Sequence, residues 1–279
     1  MKKIIIDSSA LAHRVKYTLA ELNTEYHDTG VIFGFMKKML EIAKTFNTNQ
    51  FFFAFDSKYS KRKKIYPEYK AKRKSDISEE VKILNQKCYT QLYQLRKEVL
   101  PQIGFKNIFQ TKGYEADDII AVLVKQYPDD YIVYSGDADL YQLLDYCSMY
   151  KPNLSVYSLK DFQKEYDITP KQWVEVKSIA GCTSDNVIGV KGIGEKRAIS
   201  YLKGTASKTI TANIEKSTDL IAENRKVVRL PMKNLRKVVP VNDERLSIGN
   251  FIDVCNRFNF NSFLDNGQLE KWTAYFEME

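Results

Sequence analysis

Three short apolar runs end in aspartate: Lys3-Ile-Ile-Ile-Asp7, Phe51-Phe-Phe-Ala-Phe-Asp56 and Tyr131-Ile-Val-Tyr-Ser-Gly-Asp-Ala-Asp139. A strand that is apolar at every position has no solvated face, so these runs demand a mostly parallel sheet covered on both sides. The C-terminal ends of such strands open into one crevice, which brings the terminal carboxylates together. Glu115-Ala-Asp-Asp118 opens a helix and adds three more acids, and Asp185 follows later. Glu115 and Asp118 lie one helical turn apart on the same side, with Asp117 beside them. Asp7, Asp56, Glu115, Asp117, Asp118, Asp137, Asp139 and Asp185 would repel one another if gathered, and burying them unpaired is costly. Divalent cations relieve that cost, and an all-oxygen ligand set suits Mg²⁺ or Mn²⁺. Aspartate also caps helices, which accounts for Asp7 or Asp56 singly. It accounts poorly for three acids in Glu115–Asp118, or for Asp137 together with Asp139.

The 279 residues suffice for one large domain, or a large domain with a smaller appendage. No apolar stretch approaches the length of a membrane span and no signal-peptide core follows Lys2 and Lys3, so a cytoplasmic location is expected. Four scattered cysteines and two histidines argue against a zinc site or a zinc finger, and free, reduced thiols are expected. The formal charge is +8 despite the eight acids named above, so the positive excess elsewhere is larger still. A basic surface around an acidic pit suits a phosphodiester substrate.

Apolar spacing predicts helices over 11–22 and 31–46, the latter with Val31, Ile32, Phe35, Met36, Met39, Leu40 and Ala43 on one stripe. Residues 57–74 are intensely basic, interleaved with Tyr59, Tyr66 and Tyr69, and too polar to pack a core. Alternating aromatic and cationic side chains suit single-stranded nucleic acid, because rings stack bases while cations track phosphates. A helix is expected from Ser78 to Leu100, stopped by Pro101 and Gly104, then a strand over 105–109 and a short helix over 140–144. Beyond Lys151 the strand–helix alternation fades into helices over 159–166 and 170–180. Gly192-Ile-Gly194 before Lys196-Arg197 then reads as a helix–hairpin–helix. Its backbone N–H groups would approach phosphate, with Lys191, Lys196 and Arg197 adding charge and no base specificity. Residues 205–279 carry little legible pattern beyond helical packing near 251–263.

Taken together, Ile-Asp-Ser at 6–8, Phe-Asp at 55–56, Tyr-Lys-Ala-Lys-Arg at 69–73, Glu-Ala-Asp-Asp at 115–118, Gly-Asp-Ala-Asp at 136–139 and Ser-Asp-Asn with Gly-Val-Lys-Gly-Ile-Gly at 184–194 make the chain resemble the 5′-nuclease (flap endonuclease) superfamily over roughly residues 1–205. The resemblance implies a PIN-like α/β domain over 1–150 with a helical arch at about 57–100. A helical DNA-binding region over 151–279 would carry the hairpin at about 181–204. It makes the eight acids metal carboxylates for two Mg²⁺ ions, with Mn²⁺ able to substitute. Lys70 and Arg73 become arch residues on the scissile phosphate, Arg14 a basic residue after the first acidic motif, and the hairpin carbonyls a place for K⁺.

The implied reaction is in-line attack of a cation-acidified water, leaving a 5′-phosphate and a 3′-hydroxyl, with the metals about 4 Å apart. The implied substrates are branched or 5′-ended DNA, with an RNA/DNA hybrid as a second class. The implied setting is DNA replication, with a polymerase or single-strand binding protein as partner to a monomeric enzyme. Two departures stand out. Cys182 occupies a carboxylate position of the second metal set, where a thiol is a poor ligand for Mg²⁺. Ser8 replaces a usual glycine. A DNA-binding protein with weak catalysis and a PIN-like ribonuclease remain alternatives.

Overall fold

The computed structural model describes residues 2–18, 28–74, 77–128, 130–265 and 267–279, with the side chains of Arg73 and Lys74 outside the description. Its core is a six-stranded sheet of β1 (Lys3–Asp7), β2 (Phe51–Ala54), β3 (Ile108–Phe109), β4 (Tyr131–Tyr134), β5 (Ser148–Tyr150) and β6 (Val156–Tyr157), in the order β3-β2-β1-β4-β5-β6. Every pairing is parallel except β5 with β6. The chain builds outward from β1 on one side, then crosses back to build from β4 on the other. The switch between β1 and β4 is where an open sheet of this kind presents its binding crevice, and it lies directly beside Asp7.

Side chains alternate across the sheet. Ile4, Ile6, Phe51, Phe53, Ile132 and Tyr134 enter one core, and Ile5, Phe52, Ala54, Tyr131 and Val133 enter the other. Both faces are covered, which is why these strands carry no polar alternation. On the first face lie helices 8–18, 30–46 and 79–103, and on the second lie 116–126, 159–166 and 170–180.

The helix expected over 11–22 is described from Ser8 to Thr18, its remainder lying outside the described residues. The helix expected from Ser78 runs over Glu79–Gln94, with Ser78 Oγ accepting from Val81 N at 3.4 Å. It then widens into one π-turn over Leu95–Val99 before Pro101, which has no N–H to continue the ladder. Gly104 ends it at φ +119°, where a Cβ would lie 2.1 Å from the Arg245 carbonyl oxygen, so only glycine fits.

The helices after Lys151 do not gather into one region as the expected span 151–279 implies. Lys208–Glu215 and Thr218–Val228 join the second face, beside the hairpin. Ile248–Arg257 and Gln268–Phe276 instead return to the first face, placing Phe276 against Phe51 and Phe105, with Trp272 packed between Phe276 and Phe251. Just before them, the Glu244 carboxylate accepts from Lys106 N and Asn107 N at 2.6 and 2.7 Å, and Val241 exchanges hydrogen bonds with the Asn107 amide. This segment shields the edge strand β3, which would otherwise be open to pairing.

Candidate active site

The strand ends deliver the carboxylates to the crevice. Asp7 closes β1 and is buried; its Oδ1 accepts from Ala10 N at 3.0 Å and its Oδ2 from Ser135 Oγ at 3.1 Å. Asp56 follows β2 and accepts from Ala116 N at 2.8 Å, tying it to the first turn of helix 116–126. That turn carries Asp117, half-buried. Asp137 stands exposed past β4 and accepts from Asp139 N at 2.8 Å. Asp7 and Asp137 therefore cap local backbone and also face the crevice, so capping and gathering are not exclusive.

The electrostatics of Asp7, Asp56, Asp117 and Asp137 call for a cation. Burial first, then Asp56 and Asp137, push the Asp7 carboxyl from 3.8 up to about 7. Burial and the charges of Asp137, Asp7 and Asp56 raise Asp117 well above its ordinary value. Burial and then Glu115 raise Asp56. None of the four has an ion pair among the described residues. A divalent cation relieves this repulsion, so the donor set fits the metal that the sequence implies.

A consequence follows for stability. Without metal, the raised Asp7 carboxyl favours the folded state below its unfolded value of 3.8, and that contribution is lost as pH rises through about 7. Glu115, held low, works in the opposite sense. The increase in Tm on adding Mg²⁺ to EDTA-stripped protein is therefore expected to grow from acid pH to above about 7. Thermal melts across that range check it, and a flat increment would count against a cation at Asp7.

Asp118 departs from its expected role. It is fully buried, and Arg62 Nη1 and Nη2 reach Oδ2 and Oδ1 at 2.7 and 2.9 Å. Glu115 N donates to Oδ2 at 3.1 Å and Met232 N to Oδ1 at 2.8 Å. All four lone-pair directions are thus occupied, which leaves none for a metal. Glu115 is likewise engaged: its Oε2 lies 2.8 Å from Lys70 Nζ and 3.6 Å from Arg62 Nη1. Burial would raise it, but Lys70 and Arg62 hold it below its ordinary value.

The basic segment 57–74 also differs from the expectation of a base-stacking arch. Tyr69 is buried, and its hydroxyl is shared between Glu115 Oε2 at 3.0 Å and Asp185 Oδ2 at 2.9 Å. A ring so enclosed does not stack bases. Lys70 N donates to the Asp185 carbonyl at 2.7 Å, so the segment is folded down onto the crevice wall. Lys70 Nζ pairs with Glu115 at the edge of the carboxylates, while the Arg73 side chain lies outside the described ones. Arg14 is exposed on helix 8–18.

A second group assembles from Asp139, Cys182 and Asp185, whose ligand atoms all lie within 4.8 Å of one another. Lys177, which the sequence reading missed, is buried beside it, with Nζ 2.9 Å from Asp139 Oδ1 and 3.1 Å from Glu195 Oε1. One turn earlier on the same helix, Trp173 Nε1 donates to the Ala138 carbonyl at 2.7 Å, holding the backbone between Asp137 and Asp139. A lysine following a tryptophan at i+4 within Pro170–Ala180 was the available signal.

At the hairpin, Gly192 takes φ +75° and Gly194 has open space where a Cβ would be, so backbone there is bare to an approaching phosphate. Lys191, Lys196 and Arg197 are exposed around it, and Ile193 is the buried anchor. Arg197 Nη1 donates to the Gly192 carbonyl at 2.5 Å, which holds its cation beside the turn.

Comparison with known proteins agrees with this architecture. The profile of the 5′-3′ exonuclease, N-terminal resolvase-like domain matches residues 2–175. A 5′-3′ exonuclease of Buchnera aphidicola is 33% identical over 244 residues, covering 84% of this chain and 81% of that protein. A 5′-3′ exonuclease of Mycoplasmopsis pulmonis is 30% identical over 253 residues, covering 87% and 81%. The T5 5′-exonuclease, solved with bound divalent metal ions (zinc), superposes with a TM-score of 0.70 at 24% identity, covering 83% of this chain and 90% of that one. The mostly parallel, helix-covered sheet is accordingly a PIN-like fold. The chain belongs to the 5′-3′ exonuclease family.

Proposed function

We propose that the protein is a divalent-metal-dependent 5′-nuclease that hydrolyses phosphodiester bonds of DNA at 5′ ends and at junctions of single and double strand, in DNA replication. The observation that carries this reading is the set Asp7, Asp56, Asp117 and Asp137, whose repulsion raises Asp7 and Asp117 at the mouth of a crevice flanked by basic residues. These four would hold one cation, with Asp139, Cys182 and Asp185 as the place for a second. Mg²⁺ is the proposed ion of the first position, with Mn²⁺ able to replace it. When bound, the cations lower the pKa of the attacking water and neutralise the leaving oxygen.

The chain's own groups then bind and orient. The bare backbone around Gly192 and Gly194, with Lys191, Lys196 and Arg197, grips the duplex phosphates without reading bases. Lys70 Nζ, held by Glu115 at 2.8 Å, is presented to the scissile phosphate as negative charge develops. The Tyr69 hydroxyl joins Glu115 to Asp185 and so keeps this wall of the crevice fixed. The reading places the enzyme in the cytoplasm as a monomer, beside a polymerase or single-strand binding protein at the same junctions.

The test is incubation with a 5′-flap DNA, in Mg²⁺ and in EDTA, beside a single-stranded RNA of matched length. Cleavage of the flap in Mg²⁺ alone is expected, and preference for RNA would move the reading to a ribonuclease. Within that assay, Lys70→Ala is expected to lower the single-turnover rate by roughly 10²-fold, as for loss of one transition-state donor. Lys196→Ala instead weakens duplex binding and reduces the slope of log K against log salt by about 0.9, one phosphate contact. If Lys70→Ala moved only affinity and Lys196→Ala only the rate, the two roles would be exchanged.

A further inference from the structure

Cys182 is held in the one convergent set of three ligand atoms among the described residues, and the set is mixed: two carboxylates and a sulfur. Its backbone is not free to turn away. Gly181 sits at φ +73° with room for no side chain, since a Cβ would lie 2.4 Å from both the Val187 oxygen and the Gly189 nitrogen. The short pairing of Gly181–Cys182 with Val187–Ile188 then fixes the direction of the thiol, which lies 3.1 Å from Ser184 Oγ. We propose that this second position takes a thiophilic divalent cation of the Zn²⁺ class in preference to Mg²⁺, with Cys182 Sγ as its sulfur ligand beside Asp139 and Asp185. The inference rests on the reading of the crevice as a metal-dependent nuclease site.

Mg²⁺ demands hard oxygen ligands and gives up water reluctantly, so replacing a carboxylate by sulfur weakens it at this position. Zn²⁺, Co²⁺ and Cd²⁺ accept thiolate and carboxylate together. Three protein ligands and an open fourth position is how zinc is held where it does chemistry rather than where it braces a fold. Lys177 does not block entry: its ammonium lies 3.1 Å from Glu195 as well as 2.9 Å from Asp139, so it keeps a carboxylate partner when Asp139 turns to a cation. Binding exchanges the thiol proton for the metal, and that proton passes to the buffer. Cys88, Cys147 and Cys255 are buried and belong to no such set among the described residues, so they do not compete.

Co²⁺ titration of the metal-stripped full chain, read in the near-ultraviolet, tests this without reference to cleavage. Wild type is expected to show a saturable thiolate-to-cobalt charge-transfer band, absent from Cys182→Ser and Cys182→Asp. Calorimetry is expected to show Co²⁺ and Zn²⁺ bound more weakly by Cys182→Asp by about tenfold or more, and Mg²⁺ bound more tightly. Cys182→Ser keeps the size of the side chain, and a circular dichroism spectrum like that of wild type confirms that it folds. No band in wild type, or equal Co²⁺ affinity in wild type and Cys182→Ser, overturns the inference. Flap cleavage in Mg²⁺ is scored separately. A band with no cleavage in Mg²⁺ or in Mg²⁺ with added Co²⁺ overturns the nuclease reading and upholds the sulfur site, whereas cleavage with no band does the reverse.

Discussion

Asp137→Ala is expected to lower flap cleavage by about 10³-fold or more, the loss of several kcal/mol of transition-state stabilisation by a bound cation. The same change should leave the metal-free protein intact. Asp137 is one of the charges that raise Asp7 and Asp117, so its removal relieves repulsion. Against that stands the loss of its bond to Asp139 N at 2.8 Å, about 1 kcal/mol as a capping interaction. The exposed hairpin cations are untouched, so duplex affinity and its salt slope stay as in wild type. Single-turnover cleavage and salt-dependent binding measured on one preparation separate the two effects. Turnover within tenfold of wild type would sink the role of Asp137 in holding metal.

Arg62→Ala is expected to cost about 3–5 kcal/mol of stability, the range for removing one partner of a buried ion pair. Arg62 is 2% exposed and Asp118 0%, so the carboxylate would be left charged with no route to water. The guanidinium also donates from Nε to the Val227 carbonyl at 2.9 Å, joining the basic segment to helix 218–228. Urea denaturation of Arg62→Ala, Asp118→Asn and the double variant resolves the pair. A double variant no less stable than Arg62→Ala alone is the expected pattern, because the stranded charge is then gone. Strictly additive losses would mean the two side chains do not act together.

What could be read from the sequence was what repeats locally. Ile4–Ile6, Phe51–Phe53 and Tyr131–Tyr134 are apolar at every position because both faces are covered, and that pattern needs no knowledge of partners. The acids that close those strands were legible for the same reason. Strands β5 and β6 are three and two residues long, too short for any period to show. Arg62 and Tyr69 were misread because their partners are remote. Arg62 meets Asp118 across 56 positions and Tyr69 meets Asp185 across 116, so a basic run that looked too polar to pack a core is partly interior. Asp118 sits in a motif beside Asp117, and local spacing alone cannot tell which of the neighbours points to the crevice and which to an arginine. Lys177 escaped for a related reason: one lysine on helix 170–180 looks like any surface cation until Asp139 is seen 2.9 Å away.

The return of helices 248–257 and 268–276 to the face of β1 and β2 bears on the order in which the molecule can come into being on the ribosome. Asp185, the last of the acids, is already made while Phe51 and Phe105 still lack the cover of Phe276, and Phe251 still lacks Trp272. Each of these large side chains contributes about 1.5–3 kcal/mol when fully buried. A nascent chain carrying the whole ligand set therefore still exposes a sticky half-core. The core on that face of the sheet, which carries the strands that end in Asp7 and Asp56, is completed only when residues 251–276 have cleared the exit tunnel and closed over it. A hydrolytic centre built this way is expected to stay silent through most of its own synthesis.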